Sequence, residues 1–496
     1  MSGTTREAAR YRFGDSSRSG MLLGLSLRQG APLVAGMLWL ALALMIELPL
    51  VGLVGLALAS VASFGRWRHT PLYDIAAPGA RLGLRRLRGR GVWSRRSLIG
   101  AGSGFDDVLP AALAGLELIE TSVDWAGSTA SVGVVRDRTA GTVSMVIGVL
   151  GDGFAASSAL EQDGMLAGWG AALAPLARDR CPVTRVTWQE WAHPVGVGTH
   201  RQFLARVATR PTSATTAGAD YADLLDTLDR STIAHDVLLT VTVDLRRVRA
   251  RRGTSTVAAA LVVLSGEVDL LAARLSTAGL VVSPPMSPAE LATAIRVRSD
   301  PTREHAAVPR SLAAIAGRGV AEWGPMAVEC DWFHARVDAS VHRTYRIVGW
   351  PMLPVPADWL APLLTGGGQT RTLTVVMEPV PIVHAARAAN RQLTSLETDR
   401  DEKQRKGFRP TARERRRIAD IEIREEELAA GHPEFRHVGL LTVTAATIDE
   451  LDDACAQVEQ DAAQSMLDIR PVAARQGEGW VASLPLGRSV RRGVWT

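Results

Sequence analysis

Residues Ser131–Leu150, SVGVVRDRTAGTVSMVIGVL, set the class of fold. β-Branched residues fill both sides of Thr139-Ala140-Gly141, and a polar turn between two such runs reads as a β-hairpin. Outward from it the hydrophobic period alternates. A helix is expected over 156–177, a strand over 183–188, a helix over 219–229, a strand over 237–245, an apolar helix over 255–277 and a strand over 280–283. This ββαβαβαβ order returns from a second hairpin, 326–337 with 341–350. It runs through a helix at 357–364, a strand at 371–377, a helical segment at 382–430, a strand at 439–443, a helix at 448–466 and a strand at 467–472. No residue-level repeat accompanies it, so duplication is expected of the topology alone. The fold class is α+β, two halves with antiparallel sheets and helices packed on one face.

Before this body lies Ala31–Phe64, 34 residues whose single charge is Glu47. One straight helix of that length would reach about 51 Å, against a hydrocarbon core of about 30 Å. Split at Glu47-Leu48-Pro49, where proline breaks the helical ladder, the run gives two arms of about 24 Å each. The expectation is a transmembrane helical hairpin with its turn at Glu47 and Pro49. Arg28 precedes it, and Arg66 and Arg68 follow; positive flanks on both sides place both termini in the cytoplasm at the plasma membrane. The domain plan is a cytoplasmic segment 1–30, the hairpin 31–64, a basic linker 65–96, a first α+β domain 97–290, a linker 291–325, a second α+β domain 326–488 and a basic tail 489–496.

Composition excludes several kinds of chemistry. Lys403 and Lys406 are the two lysines of 496 residues, and neither stands in a Gly-Lys-Ser/Thr context, so no P-loop can form. The net charge of +5 is uneven. The first hundred residues hold 14 arginines against Glu7, Asp15, Glu47 and Asp74, a balance of +10 that leaves the remainder at −5. Cys181, Cys330 and Cys455 are more than a hundred residues apart, with no metal or disulfide spacing. His193, His200, His384 and His437 have no companion at ligand spacing, His432 after Gly431 reads as a dipole partner at a helix C-terminus, and Gly366-Gly367-Gly368 precedes a strand, which supplies no helix dipole for phosphate; a flexible loop is expected there. Glu117, Glu120 and Asp124 read as solvated surface. No catalytic, cofactor-binding or metal residue is assigned, and the chain is not expected to be an enzyme.

The helical segment 382–430 is charged on most faces and is interrupted by Lys406-Gly407-Phe408-Arg409-Pro410, which suggests an antiparallel arm. Its candidate partner-binding residues are Lys403, Lys406, Arg413, Arg415, Arg416 and Arg417. Glu422, Glu425, Glu426 and Glu427 are placed to pair with these arginines, so a protein partner is expected rather than DNA.

Several motifs occur in a specific order: Tyr11-Arg12-Phe13-Gly14, Gly20–Leu25, Glu378-Pro379-Val380-Pro381, Ala429-Ala430-Gly431-His432, and Gly439-Leu440-Leu441-Thr442-Val443 leading to Asp449-Glu450-Leu451-Asp452. Together they resemble the actinobacterial conjugation-cluster membrane proteins of the Streptomyces type over nearly the whole chain. That family resembles a fusion of the two-span inner-membrane subunit of type IV secretion with the N-terminal, non-ATPase part of its assembly ATPase. Ala482-Ser483-Leu484-Pro485-Leu486-Gly487 is similar to the Leu-Pro-Gly element before the ATPase motor, with Leu486 inserted. The resemblance transfers no catalytic residue and no cofactor. It implies a structural component of a conjugative machine whose partners are a separately encoded secretion ATPase, other inner-membrane subunits, membrane lipids and further copies of itself. The alternative is a membrane component of another actinobacterial exporter, such as type VII secretion.

Overall fold

The computed structural model describes residues 27–67, 70–88, 91–94, 110–151, 153–195, 197–207, 215–231, 233–249, 253–303, 324–351, 353, 355–405, 412–430 and 432–488. At the N-terminal side α1 (Leu27–Met45) and α2 (Pro49–Phe64) form a helical hairpin. Pro49 opens α2 in its first turn, where a missing N–H is harmless. Close approach of the two helices depends on small residues: a Cβ on Gly55 would lie 2.2 Å from Trp39 Cδ1. Trp39 Nε1 also donates to the Val51 carbonyl at 3.3 Å.

A two-stranded ribbon, β1 (Arg66–Trp67) with β2 (Thr70–Pro71), leads into α3 (Leu72–Leu87) and β3 (Val92–Ser94). The stretch 65–96 is therefore not the plain basic linker expected. Ile75, Gly79 and Leu82 share one face of α3, two of them as buried side chains, and the face packs against Trp332. Arg86 meets Asp331 at 2.7 Å, and Arg81 and Arg85 are exposed.

The first half of the body runs β4 (Leu116–Trp125), β5 (Ser128–Asp137), β6 (Thr142–Leu150), α4 (Ala159–Leu173), β7 (Val183–Pro194), α5 (Gly198–Val207), α6 (Thr216–Ser231), β8 (Ile233–Asp244), α7 (Thr256–Thr277), β9 (Val281–Pro285), α8 (Pro288–Ser299). The second runs β10 (Ala327–Cys330), β11 (Ala335–Val337), β12 (Ser340–Gly349), α9 (Ala361–Thr365), β13 (Thr370–Val380), α10 (Ile382–Arg405), α11 (Ala412–Ala429), β14 (Glu434–Ala445), α12 (Ile448–Gln464), β15 (Asp468–Pro471), α13 (Gln476–Ala482). The two orders match element for element. Helix starts are set locally: capping boxes pair Ser158 with Glu161 before α4 and Ser287 with Glu290 before α8.

Strand pairing repeats as well. The path β4-β5-β6-β8-β7 meets β13-β14-β12-β11-β10 head on, with β9 on β6 and β15 on β12, and β3 extends the far edge. Both side pairings carry a register shift, at Ile147/Val149 and at Ile347/Gly349. Ser144 Oγ lies 2.9 Å from Thr242 Oγ1, and Thr344 Oγ1 lies 2.9 Å from Thr442 Oγ1, the same cross-strand bond two hundred residues on.

The halves do not form separate sheets, as the plan of two domains implied. β7 and β13 pair antiparallel from Arg371↔Ala192 to Met377↔Val186, which makes one 13-stranded sheet across the seam. Nor is 291–325 wholly a linker, since Leu291 and Ile295 of α8 are buried in a core shared by both halves.

Both faces of the central strands are buried, one lined by apolar side chains and the other carrying buried hydroxyls such as Ser144, Thr242, Thr344 and Thr442. On one face Val134, Met145 and Leu239 pack beneath α4 and α7; their neighbours Val135, Val146 and Leu238 face the other way. Helix α7 is the one described helix long and apolar enough to cross a membrane, but Leu264, Val268, Leu271 and Leu275 are buried and make it the core helix of this layer. In the second half α12 has the same place over Leu441 and Val443.

The opposite face is concave. Leu116 and Val135 near one end of the sheet share a core with Val328, Ala335 and Val337 at the other, gathered around Trp480, Leu484 and Leu486. Residues 476–488 thus plug the concavity and cross the seam. Gln189 Nε2 donates to the carbonyls of Ala482 (3.2 Å) and Leu484 (3.0 Å), and Arg185 Nη2 donates to that of Gly487 (2.6 Å). Gly487 holds φ +60, and a Cβ there would lie 2.4 Å from Ser144 Oγ, so no other residue fits.

Candidate functional site

The hairpin turn places Glu47 at φ +58, immediately before the helix that Pro49 opens. Arg28 lies in the first turn of α1, and Arg66 is exposed in β1, just beyond α2; Arg68 lies outside the described residues. Between these charges the outer surface is apolar: Leu38, Met45, Leu50 and Leu58 are 67, 84, 77 and 66% exposed. The apolar stretches of α1 and α2, Gly30–Met45 and Pro49–Phe64, are both shorter than α7.

The charged segment 382–430 forms the expected antiparallel arm, α10 against α11. Its base is fixed to the sheet. Arg424 donates from Nε and Nη2 to the Glu434 carboxylate at 3.1 and 2.7 Å and from Nη1 to Gln392 Oε1 at 3.3 Å, tying both helices to β14. Val380, Ala385, Ala389 and Leu428 form a small core beneath that clamp. Lys403 stands in the last turns of α10, and Arg413, Arg415, Arg416 and Arg417 stand in the first turns of α11, so the arm gathers these positions at its far end. Arg415 is exposed, and Lys406 lies outside the described residues.

Several described histidines have partners within the fold, His235 Nδ1 lying 2.5 Å from Glu190 Oε1 and His193 Nε2 3.9 Å from Asp236 Oδ2. The His193 ring lies tilted against that of Trp191, centroids 3.6 Å apart, and His200 Nε2 lies 2.7 Å from the Tyr221 hydroxyl. The amide of His432 donates to the Glu427 carbonyl at 2.9 Å, closing α11 as a helix terminus. His342 is fully buried; its Nε2 lies 2.8 Å from the Ser299 carbonyl and its Nδ1 lies 2.9 Å from Thr444 Oγ1. Nε2 therefore carries the proton and Nδ1 accepts from the hydroxyl. Burial holds its pKa down at about 4, so the ring is neutral.

The glycine triplet differs from the flexible loop expected. Arg371, 1% exposed, donates from Nη1 to the Gly366 carbonyl at 2.6 Å and from Nη2 to that of Leu364. The loop's carbonyls solvate a buried cation.

The cysteines are free, and burial pushes the thiols of Cys181, Cys330 and Cys455 up, away from the reactive thiolate. Glu117 pairs with Arg138 at 2.9 Å, and Glu120 binds Ser131, so that acidic stretch is engaged in its own hairpin. A cavity of about 650 Å³ opens beside Phe333, Tyr345 and Arg470. Its polar groups are already matched: Arg343 to Asp452 at 2.7 Å, Arg470 to Asp468 at 3.1 Å, and the Tyr345 hydroxyl to Glu459 at 2.9 Å. Among the described residues no group of three His, Cys, Asp or Glu is placed to hold a metal.

The helix pair α5–α6 was read only as a short helix, yet it presents Phe203, Val207 and Leu224 at 57, 61 and 51% exposure. The spacing of Phe203 with Val207, and of Tyr221 with Leu224 and Leu225, is the signal that marks such a face. No protein-family model matches the chain, and a comparison with curated proteins finds no match.

Proposed function

We propose that the protein is a non-catalytic, two-span membrane component of a conjugative type IV-like secretion machine, with both termini cytoplasmic, which docks a separately encoded ATPase. The observation that carries the membrane assignment is the hairpin's exposed apolar surface, bounded by Arg28 and Arg66. Water would bear a patch of this kind at high cost, and a bilayer removes that cost. Arms of about 24 Å suit a locally thinned hydrocarbon layer.

Docking is supported by the arm and by the motif resemblance. A sheet buried on both faces gives the arm a rigid base, and its charged helices protrude where a partner protein can meet them. Full-length protein extracted from membranes in mild detergent is expected to retain an ATPase that carries its own Gly-Lys-Ser/Thr loop. A chain lacking 395–425 should lose that ATPase and remain in the alkaline-carbonate-resistant membrane fraction. ATP hydrolysis intrinsic to the purified chain, or its release from membranes by salt alone, would overturn the assignment.

A further inference from the structure

The internal repeat supplies a comparison within one chain. Helices α7 and α12 hold equivalent places over the sheet, yet their outward faces differ. On α12 that face is polar, with Asp452, Asp453, Glu459 and Gln460 exposed, as a helix against water requires. On α7 it is apolar: Val262 and Leu270 are 74 and 51% exposed, with Gly266 and Ala273 exposed beside them and Ala259 half-buried. The three charged residues of α7 leave this strip clear, since Glu267 is turned inward to Arg178 while Asp269 and Arg274 stand at its margins.

Gly266 adds an independent observation. Glycine in the middle of a helix is destabilising, and nothing in the chain requires one here, because a Cβ at 266 would meet no atom within 4 Å outside the helix itself. Gly168 of α4 is different: a Cβ there would lie 2.8 Å from the Ala278 Cβ, so that glycine admits a neighbour of its own chain. The strip on α7 is also symmetric about Gly266. Val262 and Leu270 stand four residues before and after it, and Ala259 and Ala273 seven before and after.

We infer that α7 is the interface of a two-fold dimer, the outward face of one copy covered by the same face of a second. A two-fold interface must be complementary to itself, and two antiparallel α7 helices with the axis at Gly266 set each Val262 against Leu270 of the second copy, with the glycines at the closest approach. A strip without charge meets itself without repulsion, which the acidic face of α12 would not. One helix wide and about 33 Å long, the strip is smaller than a permanent interface, so the dimer is reversible.

The symmetry makes the test specific. In the antiparallel pair the two copies of residue 262 lie about 12 Å apart along the helix, beyond disulfide reach, whereas 262 of one copy is opposite 270 of the other. Full-length Val262→Cys or Leu270→Cys, oxidised alone in mild detergent, should give no more disulfide-linked dimer than the unmodified chain, and the two mixed should give it. Both positions are exposed, so neither change disturbs the core. Gly266→Leu puts a better helix former at the point of closest approach; it should keep the circular dichroism of the unmodified chain and weaken self-association at least about tenfold in sedimentation velocity over a concentration series. Dimer linked through either cysteine alone, no linkage in the mixture, or unchanged self-association of Gly266→Leu would overturn the inference. The last two results are those expected if a lipid surface or a different protein covers α7.

Discussion

Replacing Trp480 with alanine should cost about 3–5 kcal/mol and destabilise both halves of the body together. The side chain is fully buried in a core that draws Val135, Val146 and Leu238 from the first half and Val328, Ala335 and Val337 from the second. Truncation would leave a void where the plug meets two ends of one sheet, and a close-packed interior relaxes into such a void only in part. Loss of ellipticity in a urea titration should therefore remain a single transition shifted to lower denaturant. A biphasic curve in which only one phase moves would show that the halves fold independently. Phenylalanine at the same position should be far milder, within about 1.5 kcal/mol, because Trp480 Nε1–H meets no acceptor among the described residues and its removal relieves an unpaired buried donor.

The second large effect is acid sensitivity at His342. Its folded pKa of about 4 lies below the ordinary 6.5, so the folded protein binds fewer protons than the unfolded chain between those values. Stability from this residue is fully present above pH 6.5 and is lost as the pH falls through that window toward 4. The loss is about 3 kcal/mol in all, and it follows from burial opposed only weakly by the Ser299 carbonyl and Asp300. Burial also lowers His437, so the full chain carries a second slope of the same sign. Comparison with His342→Gln isolates the first: urea midpoints measured from pH 7 to pH 4.5 should fall less steeply in the variant. Equal slopes would mean that His342 is not the buried neutral ring described.

The hairpin at 131–150 was legible because its turn chemistry is local. Asp137 Oδ1 accepts from the amides of Thr139 and Ala140 at 2.8 and 2.9 Å, and Gly141 takes φ +67. The charged arm was legible for the same reason, as were most strands of each half, whereas β4, α5 and α8 lay outside the expected ββαβαβαβ order. The seam was not, because β7 and β13 pair across nearly two hundred residues and nothing in either strand's own pattern names its neighbour. Helix α13 was hidden by its composition. Gly477 and Gly479 lower helix propensity, yet each is there for approach: a Cβ would lie 2.5 Å from Cys330 Sγ or 2.6 Å from Thr344 Cβ.

The membrane-anchored reading meets its most direct test in cysteine labelling of intact cells with a membrane-impermeant maleimide, using full-length Glu47→Cys and Arg66→Cys. A two-span hairpin predicts that the cysteine at 47 is labelled from outside, whereas the one at 66 is labelled only after the membrane is opened. Equal labelling of the two positions, whether both before or both only after permeabilisation, would contradict a hairpin that crosses the bilayer.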